Sequence, residues 1–118
     1  MAKYVDGFVV PVHRDRVEEY RVFSEKAGRI WKEYGALDYV ECIADDVKPG
    51  KLTSFPQAVD LQPGELVVFA WITYASREDR DRVMEKVMKD ERLPHDAAAM
   101  PFDGQRMIFG GFKTFIEL

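Results

Sequence analysis

Leu66-Val67-Val68-Phe69-Ala70-Trp71-Ile72-Thr73-Tyr74 carries no charge and consists almost entirely of β-branched, aromatic and aliphatic residues. So short and so continuously apolar a run reads as a strand buried on both faces, hence an interior strand of a sheet. On its carboxyl side, Ser76 and Asp79 mark the start of a helix in which Val83, Met84, Val87 and Met88 form one apolar stripe, stopping before Pro94. The rest of that helix is charged and reads as solvated surface. On its amino side, residues 45–64 hold three prolines and two glycines without a sustained period, which makes them mostly a long connection.

Farther toward the amino end, residues 4–12 form a first strand closed by Pro11 and His13-Arg14-Asp15. A long helix follows. Asp15 and Glu18 resemble a capping box, and Val17, Tyr20, Phe23, Ala27, Ile30, Trp31 and Tyr34 recur at spacings of three and four until Gly35. Residues 38–44 make a second strand, and residues 106–117 make a last one after a segment broken by Pro94, Pro101 and Gly104. The chain has no internal repeat.

The resulting order, β-α-β-β-α-β, predicts one α+β domain over residues 1–118 with a ferredoxin-like, four-stranded antiparallel sheet. Right-handed crossovers put the first and third strands at its centre. The outer strands carry Glu41 and Lys113, charges that discourage edge pairing. Alternation divides each strand between two faces. Val5, Gly7, Val9, Leu66, Val68, Ala70 and Ile72 suit a surface beneath two helices. Asp6, Phe8, Glu41, Phe69, Trp71, Phe109, Lys113 and Phe115 fall in the opposite set. So aromatic a face exceeds what soluble monomers leave uncovered, and the simplest cover is the same face of a second copy, giving a homodimer with two sheets packed face to face.

Seventeen basic against twenty-one acidic residues give a net charge of −4 and a pI near 5.2, without a basic stripe, so nucleic acid is not an expected partner. The longest fully apolar run is too short to span a bilayer, and residues 1–7 have no secretory h-region, so no membrane role is expected. The one cysteine, Cys42, lies in an apolar run and reads as core filling in a reducing compartment, the cytoplasm.

The closing stretch Met100-Pro101-Phe102-Asp103-Gly104-Gln105-Arg106-Met107-Ile108-Phe109-Gly110-Gly111-Phe112, together with Lys51-Leu52-Thr53-Ser54-Phe55-Pro56-Gln57-Ala58-Val59 and residues 67–74, resembles the YbaA-like family of uncharacterised bacterial proteins. The likeness runs along essentially the whole chain. It implies membership of the dimeric α/β-barrel superfamily, which includes cofactor-independent monooxygenases, isomerase-like enzymes and ligand binders. It carries over no catalytic residue.

Asp6 and Glu41 are candidate general bases, because a carboxylate in apolar surroundings has its pKa raised; a solvated edge charge is the plainer role. Phe8, Phe69, Trp71 and Phe109 are candidates to line a pocket for a small apolar or aromatic ligand, with core packing as the alternative. His13 and His95 lie in connections, and His13 joins Asp6, Glu41 and Arg106 as a candidate for polar or catalytic contacts, with a neutral surface histidine as the alternative; their spacing lacks a zinc signature, so no metal is expected. Arg106, just after the Asp103-Gly104 turn, either faces a pocket mouth or pins that turn through a salt bridge. No cofactor fingerprint is present. Two functions follow: a small-molecule-binding dimer or cofactor-independent enzyme, oxygenase- or isomerase-like, with its pocket on the sheet face, or a non-catalytic dimeric structural or interaction module.

Overall fold

The computed structural model describes residues 3–118; Met1 and Ala2, the head of the stretch without a secretory h-region, lie outside the described residues. Four strands, β1 (Tyr4–His13), β2 (Asp38–Ile43), β3 (Glu65–Tyr74) and β4 (Ile108–Lys113), form one antiparallel sheet in the order β2-β3-β1-β4. Helix α1 (Val17–Tyr34) connects β1 to β2, and α3 (Arg77–Met88) follows β3. The chain is thus α+β with ferredoxin-like topology, its two most apolar strands central.

Local chemistry sets the helix ends. Gly35, at φ 122°, closes α1 in a backbone conformation that side chains disfavour. Ser76 is extended and its hydroxyl accepts from Asp79 N at 3.1 Å, starting α3. The start of α1 differs from expectation. His13 Nδ1 accepts from Asp15 N at 3.1 Å and begins a 3₁₀ turn, Arg14–Arg16, so Asp15 lies inside a turn and no capping box with Glu18 forms. The long connection contains one short helix, α2 (Phe55–Ala58), capped by Ser54, which seats Val59 against Val9 and Val67 on the sheet face away from α1 and α3.

The strand register corrects the division of faces. Asp6 pairs with Ile72 and Phe8 with Ala70 across β1 and β3; Glu41 also pairs with Ala70, and Phe109 with Phe8. Directly paired residues share a face. Tyr4, Asp6, Phe8, Tyr39, Glu41, Phe109 and Gly111 therefore face the helices together with Ala70 and Ile72, where Ile72, Tyr4 and Tyr74 pack on Ile30, Val83 and Val87. Val5, Gly7 and Val9 point the other way, with Phe69, Trp71 and Phe112. Alternation within a strand says nothing about how two strands are slid against each other, and β3 had been joined to its neighbours one residue out of step.

Three lesser expectations change as well. Phe69 is 44 % exposed, so β3 is buried on both faces along only part of its length. Cys42, paired with Phe69 on the open face, is exposed rather than core filling. β4 ends at Lys113, which leaves Phe115 exposed in a tail beyond the sheet.

Gly28 lets α1 approach β2: a Cβ there would stand 2.6 Å from Tyr39 Cδ1 and 2.9 Å from its Cε1. In an open helix, Gly→Ala gains about 1 kcal/mol. Here the ring body must move, at an overpacking cost of about 1–3 kcal/mol. Gly28→Ala should therefore lower the denaturation midpoint, and a raised midpoint in urea unfolding would contradict the close contact.

Candidate functional site

Between the sheet and the two long helices lies a cavity of about 360 Å³, within the range that holds small organic ligands. Its floor is the helix-facing side of the sheet, including Phe8, Ala70, Ile72 and Phe109. Trp31 of α1 and Met84 of α3 contribute from above, and Met100 and Phe102 come from the segment before β4. Most of this wall is apolar. Two polar centres interrupt it.

The first centre is Asp6 with Arg80. The Asp6 side chain is only 9 % exposed, and its Oδ1 stands 3.3 Å from Arg80 Nε. Arg80 is held from three sides: Nη2 donates to the Tyr4 hydroxyl at 3.0 Å, Nη1 donates to Asp81 at 3.1 Å, and the guanidinium lies 4.9 Å from the Tyr4 ring centroid. Gly111 makes room for this arrangement, because a Cβ there would collide with both Arg80 Nη2 and the Tyr4 hydroxyl. Neither Asp6 Oδ2 nor Arg80 Nε has a hydrogen-bond partner among the described residues. The neighbouring Tyr74 hydroxyl accepts from Trp31 Nε1 at 3.1 Å and turns its own proton toward the Asp6 carboxyl. Burial raises the Asp6 pKa above its ordinary 3.8, outweighing the Tyr74 hydroxyl and the Arg80 charge, which lower it; Asp81 adds to the rise.

The second centre is Glu41, on β2. Its carboxyl accepts from the Tyr39 hydroxyl at 2.8 Å and from the Tyr20 hydroxyl. Burial, followed by the nearby Glu41 charge, pushes both phenols well above their ordinary pKa, so they are neutral donors at any physiological pH.

Of the residues singled out by sequence, Asp6, Glu41, His95, Phe8 and Phe109 thus converge on one cavity, and the Phe8 and Phe109 rings stack 6.2 Å apart. The cavity they share lies beneath the helices, on the opposite side of the sheet from the open face. Phe69 belongs to the other face, between Trp71 at 5.7 Å and Phe55 at 5.8 Å; Trp71 also borders the cavity, but its ring packs with Phe69. His13, at the far end of β1, is occupied as the cap before α1. Arg106 is bound to Glu65 at 2.6 and 2.7 Å, to Asp103 at 2.9 Å and to the Asp60 carbonyl at 2.9 Å, which ties down the turn before β4. Lys113 sits at the end of edge strand β4. No metal-binding group of three or more His, Cys, Asp or Glu residues occurs among the described residues.

Arg80 is the participant that sequence reading missed, having been assigned to a solvated helix face. A signal was present: it precedes Val83, Met84 and Val87 by three, four and seven residues, so it lies on the apolar stripe itself.

A family model described as "Protein of unknown function (DUF1428)" matches residues 3–104. The chain is 50 % identical over 115 residues to "Uncharacterized protein YbaA" of Escherichia coli strain K12, covering 98 % of each, and equally to the protein of that name from Shigella flexneri. Among solved structures it is similar to a dimeric ferredoxin-like protein from an uncultured marine organism, with a TM-score of 0.63, 10 % identity and complete coverage of both chains. No helix among the described residues is long and apolar enough to cross a membrane.

Because the Asp6 pKa is raised on folding, keeping this carboxyl ionised costs stability. The cost is fully present above the raised pKa and disappears as pH falls toward 3.8, so this contribution makes the protein less stable as pH rises through that window. A carboxyl ¹³C titration should place the Asp6 midpoint above 3.8, and Asp6→Asn should flatten this limb of the pH–stability curve. A midpoint below 3.8 would show that the Arg80 attraction outweighs burial.

Proposed function

The chain belongs to the DUF1428 family, and from that premise we propose that it is a small-molecule-binding homodimer whose ligand sits between the sheet and its helices. The observation that carries this reading is the cavity of about 360 Å³, mostly apolar and bordered by two carboxylates, Asp6 and Glu41. A mostly apolar wall favours a small apolar or aromatic body, and Asp6 and Glu41 supply polar contacts. With its pKa raised by burial, Asp6 is suited to accept a proton from a bound molecule, so cofactor-independent chemistry of an isomerase or oxygenase kind is open to this site. The proposal places the protein in the cytoplasm, consistent with one unpaired Cys42.

The open sheet face supports pairing. Phe69, Ile108 and Phe112 are 44 %, 45 % and 64 % exposed there, three large apolar side chains left to water on one face. The marine neighbour with this fold is described as dimeric. A competing reading, a non-catalytic interaction module, draws on the same face, where Phe55 of the long connection lies beside Phe69 and offers an aromatic patch to a partner.

Native mass spectrometry of protein purified gently from its own host tests both parts. The expected spectrum is a dimer carrying additional small-molecule mass. A monomer at micromolar concentration would remove the dimer, and a bare dimer would favour the interaction module. Phe112→Asp, which puts a charge on the open face at edge strand β4, should shift the dimer toward monomer in light scattering without lowering the melting temperature of the monomer.

A further inference from the structure

The two carboxylates of the cavity differ in how their charge is met. Phenols apart, the ionisable groups in its wall are Asp6, Arg80, Glu41 and the exposed His95. Asp6 is matched by Arg80 at 3.3 Å, whereas Glu41 forms no ion pair with any Lys, Arg or His among the described residues. Glu41 also borders a second, open groove between α1 and β2, and the basic side chains along that groove are committed elsewhere. Arg21 is bound to Glu18 at 3.2 Å, Arg29 to Glu25 at 4.0 Å and Lys32 to the Leu37 carbonyl at 2.6 Å. What Glu41 has instead is two neutral phenols, Tyr20 on one carboxyl oxygen and Tyr39 on the other. A carboxylate offers about four acceptor positions, so these donors leave part of it free, and being neutral they do not cancel its charge. Aromatic rings stand next to it. Tyr39 packs with Trp31 at 6.0 Å between ring centroids, and both line the cavity, where ring faces attract a cation.

We propose that Glu41, held between Tyr20 and Tyr39 where the cavity adjoins the groove between α1 and β2, forms a subsite for the ammonium group of a small arylalkylamine whose flat apolar body fills the cavity between the sheet and the helices. The ammonium donates to the acceptor positions of Glu41 that the phenols leave free, and the body lies among Phe8, Trp31, Met84 and Phe109. The position suits a charged end. Glu41 is only part-buried, so an ammonium beside it keeps some of its hydration and gains a counterion, and the usual cost of burying a charge is reduced. An anionic end would meet the Glu41 charge unfavourably, and a neutral end would leave that charge uncompensated.

The inference rests on the cavity being a ligand site, and the two are told apart by calorimetric titration of the full chain with 2-naphthylmethylamine, 2-naphthalenemethanol and 2-naphthoate. The three share one ring body and carry a cationic, a neutral and an anionic end. The amine should bind about tenfold or more tightly than the alcohol, the scale of a hydrogen bond made to a charged group, and the naphthoate should bind most weakly. In Glu41→Gln the preference for amine over alcohol should fall to within about twofold, because the amide keeps the shape and loses the charge. The Glu41 carboxyl ¹³C resonance, followed in the wild-type protein, should shift with the amine and much less with the alcohol, a readout that needs no variant to fold. Equal binding of amine and alcohol, or tighter binding of naphthoate, would overturn the cation subsite and leave the ligand cavity standing; binding of none would overturn the cavity reading and the subsite with it. An amine preference that survives Glu41→Gln and is lost in Asp6→Asn would also overturn the assignment, by placing the ammonium at the other polar centre.

Discussion

The antiparallel register of β1 on β3, with Asp6 opposite Ile72, decides which side chains meet the helices and which meet solvent. In a sheet, sliding one strand by a single residue reverses every side chain on it. Here such a slip would expel Asp6, Phe8 and Val10 from beneath α1 and α3 and bring in Val5, Gly7 and Val9. The cavity would lose its carboxylate and its aromatic floor together, and Arg80 would lose its buried partner. The register is held along the full length of both central strands, from the Tyr4–Tyr74 pair to the His13–Glu65 pair, so the site inherits the rigidity of the longest ladder in the molecule.

Burying Asp6 with Arg80 is not a cheap way to stabilise a small domain. Charge pairs taken out of water recover their desolvation only when geometry and further hydrogen bonds are good, and an apolar pair of similar volume often does as well or better. This pair has one carboxylate oxygen and one guanidinium N–H without partners. The surrounding core, built on Ile30, Ile72, Tyr74, Val83 and Val87, supplies ample apolar packing to carry that burden.

Much of the architecture could be read from residue order. The helical period of α1, the glycine that ends it, the Ser76 cap and the unbroken apolar run of β3 each follow from local rules, and the order of elements then limits the sheet to one topology. Asp6, Glu41, Phe8 and Phe109 were picked out by the same means. Their setting was not, because strand parity is local and strand register is not: the loops and the packing of distant side chains choose it. Arg80 lies on a helix whose other charged residues mostly face water, although its spacing from Val83 and Val87 puts it on the buried stripe. Arg106 shows the opposite case, a basic residue beside a turn whose partners, Glu65 and the Asp60 carbonyl, are more than forty positions away and can be identified only in three dimensions.

Gly111 has a bearing on how such a sequence can change over time. The space above it is taken by the tip of Arg80 and the hydroxyl of Tyr4, contributed by α3 and β1. Positions 4, 80 and 111 are therefore coupled: a side chain added at 111 displaces the tip of Arg80 and the ring of Tyr4 together, and with them the contacts that hold Arg80 beside Asp6. Three positions spread over more than a hundred residues thus share one space, so that changes among them have effects that do not add.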